Sequence, residues 1–330
     1  MEHSKRPAMG WRWERLIASV LAVGGQTAVA VEFAPNETLV SLQRDLIDLE
    51  FSASRSQFVW TDSMGPMWLG NVDPTGAFNP VNGKGVLVDL DAMKTADLYT
   101  IYNGPEWIST ADGDQIVYTK YLPKRLHLVK NARLAVAREN SDGTWTPRFL
   151  GPNVPRNAPY ASDDISDPTP RITYIDTSRN HYWREINDAD TEVLLPLPPS
   201  LKSVRFVKGR RAVVFSTPIG GISQVFHYDL DTRVLEQMTF DAGDKDLQTI
   251  PWMWPSPEHD NDHVFMTVVG NTELRIYRYD DGEAGGAIGW APIRTVSVDP
   301  GTKIASPEPF VHNDRSYITI LQPLQPEHRS

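Results

Sequence analysis

Carboxylates, indoles and a few bases recur in this 330-residue chain just ahead of short β-rich strands. Asp48 and Glu50 stand before one strand, and Asn103, Glu106 and Trp107 before another. Asp163, Asp164 and Asp167, then Lys202 and Arg205, Trp252 and Trp254, and finally Glu308 complete the set. Indole faces stack on sugar rings, and paired carboxylates do acid–base work or hold a hard cation. Glu106 and Glu308 each follow a proline, Pro105 and Pro307, in equivalent positions, and are the candidates for a catalytic acid, base or nucleophile. The same residue types also serve packing, because proline and tryptophan at a strand start are ordinary core formers.

Other sequences that suggest chemistry resolve into turns. His259-Asp-Asn-Asp-His263 has two imidazoles, but it follows Pro255 and Pro257 and has Glu258 ahead of the first histidine. A zinc-protease pair needs helical His-x-x-x-His spacing with Glu after the first His, so a polar turn is expected and no metal site. Asp229-Leu-Asp231 and Asp280-Asp-Gly282 match no calcium-loop spacing and read as hairpin turns. The chain has no nucleophile elbow, phosphate-binding glycine loop or dinucleotide fingerprint. It has no cysteine, which excludes disulfides, thiolate metal sites and a cysteine nucleophile. A net charge of −10 without a basic stripe excludes nucleic acid as a partner.

The elements that position these residues are strands. Short runs rich in Val, Ile, Phe, Tyr and Thr alternate with Asp, Gly, Asn and Pro, and no amphipathic helix of ordinary length interrupts them. One strand recurs six times: Gln57–Thr61, Gln115–Thr119, Arg171–Ile175, Ala212–Ser216, Val264–Val268 and Ser316–Ile320. A second strand follows most copies, as in Gln224–Asp229, and a third follows several. This spacing fits an all-β, six-bladed β-propeller with blades of about four antiparallel strands. In that fold the loops between blades deliver the chain to the innermost strands, so the residues collected above converge on one mouth of a central channel. The last copy stops after its second strand. An open circle exposes two sheet edges, so Thr38–Leu42 is expected to add a closing strand.

Three stretches carry a resemblance: GPEWISTADGDQIVYT from Gly104 to Thr119, SQVFHYDLDTRVLEQMT from Ser223 to Thr239, and Pro251–Tyr279, with Trp254-Pro-Ser-Pro ahead of its strand. They resemble the repeats of the TolB-like β-propeller family, whose usual form is a Trp-Ser-Pro-Asp-Gly turn, a β-rich strand, an Ile-Tyr-x-x-Asp strand and a closing Leu-Thr. The likeness spans roughly residues 46–322 and departs at the turns Ser54-Arg-Ser56, Lys208-Gly-Arg210 and His259–Asp262. It implies a fold, since propellers host binding proteins and enzymes alike.

At the N-terminus, Lys5, Arg6, Arg12 and Arg15 lead into an apolar run ending Ala28-Val29-Ala30, the pattern of a secretory signal peptide. The expected organisation is a signal peptide over residues 1–30 and one propeller over residues 31–330. No transmembrane span is expected after cleavage, and the mature chain is expected to be periplasmic or secreted. The leading expectation is that a small polar ligand, a carbohydrate or a protein partner binds at the channel mouth through Glu50, Asn103, Glu106, Trp107, Asp163, Asp164, Trp252, Trp254 and Glu308. The alternative is a hydrolase or lyase acting there on a carbohydrate or other small polar substrate. No cofactor is expected, although the carboxylates leave room for a divalent cation in the channel.

Overall fold

The computed structural model describes residues 16–23, 47–62, 65–72, 78–79, 85–92, 103–122, 129–162, 169–187, 192–201, 204–240, 251–282, 288–297 and 304–323. Among the described residues all regular structure beyond two short 3₁₀ turns is β, and no helix is long and apolar enough to cross a membrane. The chain forms an all-β propeller of four-stranded antiparallel blades.

The blades are built in chain order, each from its innermost strand outward. The first holds Ile47–Ser52, Gln57–Thr61 and Met67–Val72, with Phe78–Asn79 and Val86–Asp89 both pairing on the last of these. The second runs Glu106–Thr110, Gly113–Tyr121, Ala132–Glu139 and Trp145–Phe149, and the third Asn157–Ala161, Arg171–Ile175, His181–Glu185 and Val193–Leu194. The fourth runs Arg205–Phe206, Ala212–Ile219, Ile222–Asp229 and Leu235–Gln237, and the fifth Trp252–Pro255, His263–Val269, Glu273–Asp280 and Gly289–Ser297.

The expected count of six four-stranded blades is corrected here. Among the described residues five sheets have four or more strands, whereas the sixth module supplies a hairpin, Ala305–His312 and Arg315–Pro323. The third strand of that sheet is Leu16–Val23, antiparallel to Arg315–Pro323 with Leu16 opposite Pro323 and Val23 opposite Ser316. It comes from the segment read as a signal peptide. Thr38–Leu42, the expected closing strand, lies outside the described residues.

Alternation along each strand sends one set of side chains to either neighbouring sheet. Trp107 packs with Val59, Met67 and Tyr118 between the first two blades, and Ile108 packs with Ile172 and Tyr174 between the next two. Phe206 and Phe215 pack with Leu195 and Leu201, and Met253 joins Val214 and Phe265. Trp252, Trp254, Ile318 and Ile320 fill the space between the fifth blade and the last hairpin. Phe310 of that hairpin meets Phe51 and Phe58 of the first blade at 4.5 and 5.4 Å, so the last module packs against the first. Burying each of these large apolar side chains contributes about 1.5–3 kcal/mol, and each of these cores is shared between two sheets.

Candidate functional site

Pairing register sets the depth of a side chain in the channel. Glu50 lies opposite Val59, Glu106 opposite Val117, Tyr160 opposite Thr173, Arg205 opposite Val214 and Trp252 opposite Met266. Each partner is the third residue of its five-residue repeat strand, so these five residues share one level. Glu308, opposite Thr319, joins them from the last hairpin.

Three of the inner strands reach this level through the same distortion. One extra residue is inserted between Ile47 and Glu50, between Asn157 and Tyr160, and between Ala305 and Glu308. Asp48 and Ala158, inside two of these bulges, have left-handed backbones with φ of 48° and 52°. A bulge re-aims the side chain that follows it, here Glu50, Tyr160 and Glu308. Gly104 is needed beside the first bulge. A Cβ on it would stand 2.5 Å from the Cβ of Asp48.

The layer is polarised. The chain order of the modules sets Glu308, Glu50 and Glu106 on one side and Tyr160, Arg205 and Trp252 on the other. Arg205 reaches across, its Nη1 and Nη2 donating to Glu308 Oε2 and Oε1 at 2.8 and 3.1 Å. Its guanidinium carbon lies 3.5 Å from the Trp252 ring centroid and 4.7 Å from that of Tyr160. Asn103 Nδ2 donates to Glu106 Oε1 and, at 2.6 Å, to the carbonyl of Pro159, while the Ala161 amide donates to Glu106 Oε2 at 3.4 Å. Side chains thus span the channel at this level, and Glu50, Glu106, Arg205 and Glu308 are all buried.

Burial governs the protonation of these carboxyls. Desolvation first, then the charges of Glu106 and Glu308, hold Glu50 well above the usual carboxylate range. Desolvation also lifts Glu106 to about 8, against the pull of Arg205. Glu308 is raised less, to about 7, because Arg205 and a hydrogen bond from Glu50 favour its charged form. In the hydrogen bond between Glu50 and Glu308 the proton is therefore favoured on Glu50, and the negative charge is favoured on Glu308 beside the guanidinium.

The tryptophans of the expected ring are packing residues in this arrangement. Trp107 turns into the core between blades and donates from Nε1 to the carbonyl of Glu50 at 3.2 Å. Trp254 donates to Ser316 Oγ at 3.1 Å, and Trp252 lies under Arg205. All three are 1–2% exposed, so none offers an open face for stacking a sugar. Asp163, Asp164, Asp167 and Lys202 lie outside the described residues. The short 3₁₀ turn Pro257–His259 leads into the His259–His263 segment, where Asp260 and Asn261 are left-handed and His263 Nε2 meets the Lys208 carbonyl at 2.8 Å. Among the described residues no group of three or more His, Asp or Glu side chains is placed to hold a metal ion.

Sequence reasoning gathered Glu50, Glu106, Arg205 and Glu308 but missed Tyr160 and Lys208 as channel residues. Lys208 follows the fourth inner strand, lies 5.5 Å from the Trp252 ring, and bears electrostatically on Glu50 and Glu106. Its place directly after an inner strand was the available signal. Lys208 also lines a cavity of about 250 Å³ at the mouth where inner strands turn back, opposite the mouth where the connecting loops arrive. Phe51, Ser109, Trp254 and Phe310 line it too, from the first, second, fifth and last modules. Ser52 and Ser109 donate to Asp114 at 3.1 and 2.9 Å along its edge.

No protein-family model matches the chain, and no curated protein matches it significantly. Solved structures do. The structure of putative TolB from Agrobacterium tumefaciens superposes with a TM-score of 0.52 at 14% identity, covering 93% of this chain and 99% of that one. TolB from Acinetobacter baumannii superposes at 0.39 with 17% identity over 82% of this chain and 68% of that one. The fold is that of a TolB-like β-propeller.

Proposed function

We propose that this TolB-like propeller is an exported binding module whose channel mouth seats a ligand or partner segment. The observation that carries the reading is the cavity of about 250 Å³ lined by residues of five modules, a juxtaposition available only around the axis. Phe51, Pro257 and Phe310 give it apolar walls, suited to an apolar side chain or small ligand group, and Lys208 adds a cation. Beneath it the crossing Arg205–Glu308 pair makes a floor rather than an open passage. Export rests on the basic, apolar, Ala-Val-Ala order of residues 1–30. On this reading cleavage removes Leu16–Val23, and Thr38–Leu42 is the candidate to replace it as the closing strand.

A library of small apolar fragments and short peptides, followed by chemical-shift changes, tests the proposal. Hits should perturb resonances near Ser109 and Lys208 and be lost in Ser109→Trp, which fills the mouth. Hits indifferent to that substitution would overturn it. The hydrolase or lyase reading draws on Glu106 and Glu308, whose carboxyls titrate at about 8 and about 7. An enzyme using either would lose at least about a hundredfold in rate on Glu→Gln substitution. The buried indoles and the occupied carboxylate oxygens favour the binding reading.

A further inference from the structure

The charge around the mouth cavity is one-sided. Among the described residues that line it, Lys208 is the only charged one, and no carboxylate joins it. Two backbone bonds to the fifth blade fix the root of that side chain. The Lys208 amide donates to the Met253 carbonyl at 3.2 Å, and the Lys208 carbonyl accepts from His263 Nε2 at 2.8 Å. The rest of the wall is largely apolar. Phe51 and Phe310 are in contact there at 4.5 Å, and Pro257, Pro309 and Val311 extend it.

The carboxylates nearby are engaged elsewhere. Asp114 accepts from the hydroxyls of Ser52, Ser54 and Ser109. Glu258 accepts from the hydroxyls of Ser256 and Ser316, each at 2.8 Å, and from the Ser316 amide at 2.6 Å. Beneath the cavity Arg205 offsets Glu308, and burial lifts Glu106 to about 8, so that Glu106 is mostly uncharged at neutral pH. A molecule entering the mouth therefore meets a positive charge beside an apolar wall. A metal cation is repelled by the ammonium, and a sugar leaves the wall unused. A wholly apolar molecule strips water from the ammonium and returns nothing for it, which is costly. An anion with an apolar body satisfies both parts, because its charge replaces the lost water with a charge-assisted hydrogen bond. A volume of about 250 Å³ limits that body to a single ring with a short tail.

We infer that the mouth cavity takes a small monocarboxylate carrying one apolar ring. Its carboxylate accepts from the Lys208 ammonium, and its ring lies against Phe310, Pro257 and Val311. This assignment of a ligand class rests on the binding function proposed above for the same cavity.

Calorimetric titration of the full chain with hydrocinnamate at neutral pH tests the assignment, with hydrocinnamide as the neutral isostere. The carboxylate should bind saturably, and the amide about tenfold or more weakly, the scale of a hydrogen bond to a charged group. Lys208→Met keeps the aliphatic stem, and should bring the carboxylate down to the affinity of the amide while leaving the amide unchanged. Ser109→Trp should abolish the binding of both. The comparison of the two ligands on the parent protein needs no variant, so it decides the matter even where Lys208→Met fails to fold. Equal binding of carboxylate and amide would overturn the ligand class and leave the binding function standing. Undiminished carboxylate binding by a folded Lys208→Met protein would do the same. Binding of neither compound would overturn the ligand class, and failure of the fragment library as well would overturn the binding function with it. A tripeptide ending in phenylalanine that binds where hydrocinnamate does not would also overturn the assignment, giving the mouth to a chain terminus.

Discussion

The guanidinium of Arg205 lies on the indole of Trp252, 3.5 Å from its ring centroid, while the same group clasps Glu308 through both terminal nitrogens. Arg205 and Glu308 are separated by 103 residues in the chain. Their contact ties the fourth blade to the last module through the centre of the molecule.

Breaking that pair from one side should be costly. Arg205→Met keeps much of the volume but leaves Glu308 buried without its cation, a loss of about 3–5 kcal/mol. Arg205→Met combined with Glu308→Gln should recover a large part of it. Urea unfolding of the two single variants and the double variant measures the coupling, and simple additivity would refute the pairing.

The raised carboxyls predict a particular dependence of stability on pH. Folding moves Glu106 from 4.5 to about 8, so the folded protein holds a proton that the unfolded chain releases across that window. The stability this contributes is complete below about pH 4.5 and is lost as pH rises to about 8. His181 acts in the opposite sense. Burial lowers its pKa from 6.5 to about 4, so its contribution is present above 6.5 and fades as pH falls towards 4. Glu106→Gln removes the first contribution and lessens that of Glu50, which has the same sign, while leaving that of His181 in place. The variant-minus-parent stability should therefore climb between about pH 5 and about pH 8, by at most about 1.4 kcal/mol per pH unit. Parallel curves from urea unfolding at several pH values would contradict the assignment.

Gly104 and Asp48 provide a steric test of the first bulge. Gly104→Ala places a Cβ 2.5 Å from that of Asp48 and should cost about 1–3 kcal/mol. Adding Asp48→Gly removes the opposing Cβ and also suits the left-handed backbone, so the pair should melt higher than Gly104→Ala alone. A double variant no more stable than the single one would place the strain elsewhere.

Export and closure can be tested together. Protein recovered outside the cytoplasm should begin at or near Val31, as N-terminal sequencing would reveal. From that mature chain, deleting residues 31–43 should lower the melting temperature, because an edge of the last hairpin loses its partner. An unchanged melting temperature would mean that Thr38–Leu42 does not replace Leu16–Val23.

Much of this architecture was legible because it rests on short-range chemistry. The strand Gln115–Thr119 and its relatives announce themselves by β-branched and aromatic residues between turns. The convergence of Glu50, Glu106, Arg205 and Glu308 follows from strand order alone. What escaped depends on geometry that residue types do not encode. Nothing in Ile47-Asp48-Leu49-Glu50 marks an inserted residue, so Tyr160 in the third module went unnoticed as a channel residue. Trp107 and Trp254 looked like binding residues because an indole suits a sugar face and a core equally well. Their one available distinction, the side of the strand on which they fall, emerges only with the register.

The three inner-strand bulges separate two kinds of inheritance in this molecule. Each one reverses the in–out parity of its strand, so residues before and after it answer to different neighbours. The flanking positions are held by the cores between blades. Glu50, Tyr160 and Glu308 are displaced onto the axis, where they answer to one another, to Arg205 and to neighbouring charges such as Glu106 and Lys208. The lining of the axis can therefore be rewritten by gaining or losing a single residue in one strand, with the blade cores left intact. A channel of new chemistry on this scaffold is reached by shifting parity as readily as by exchanging side chains.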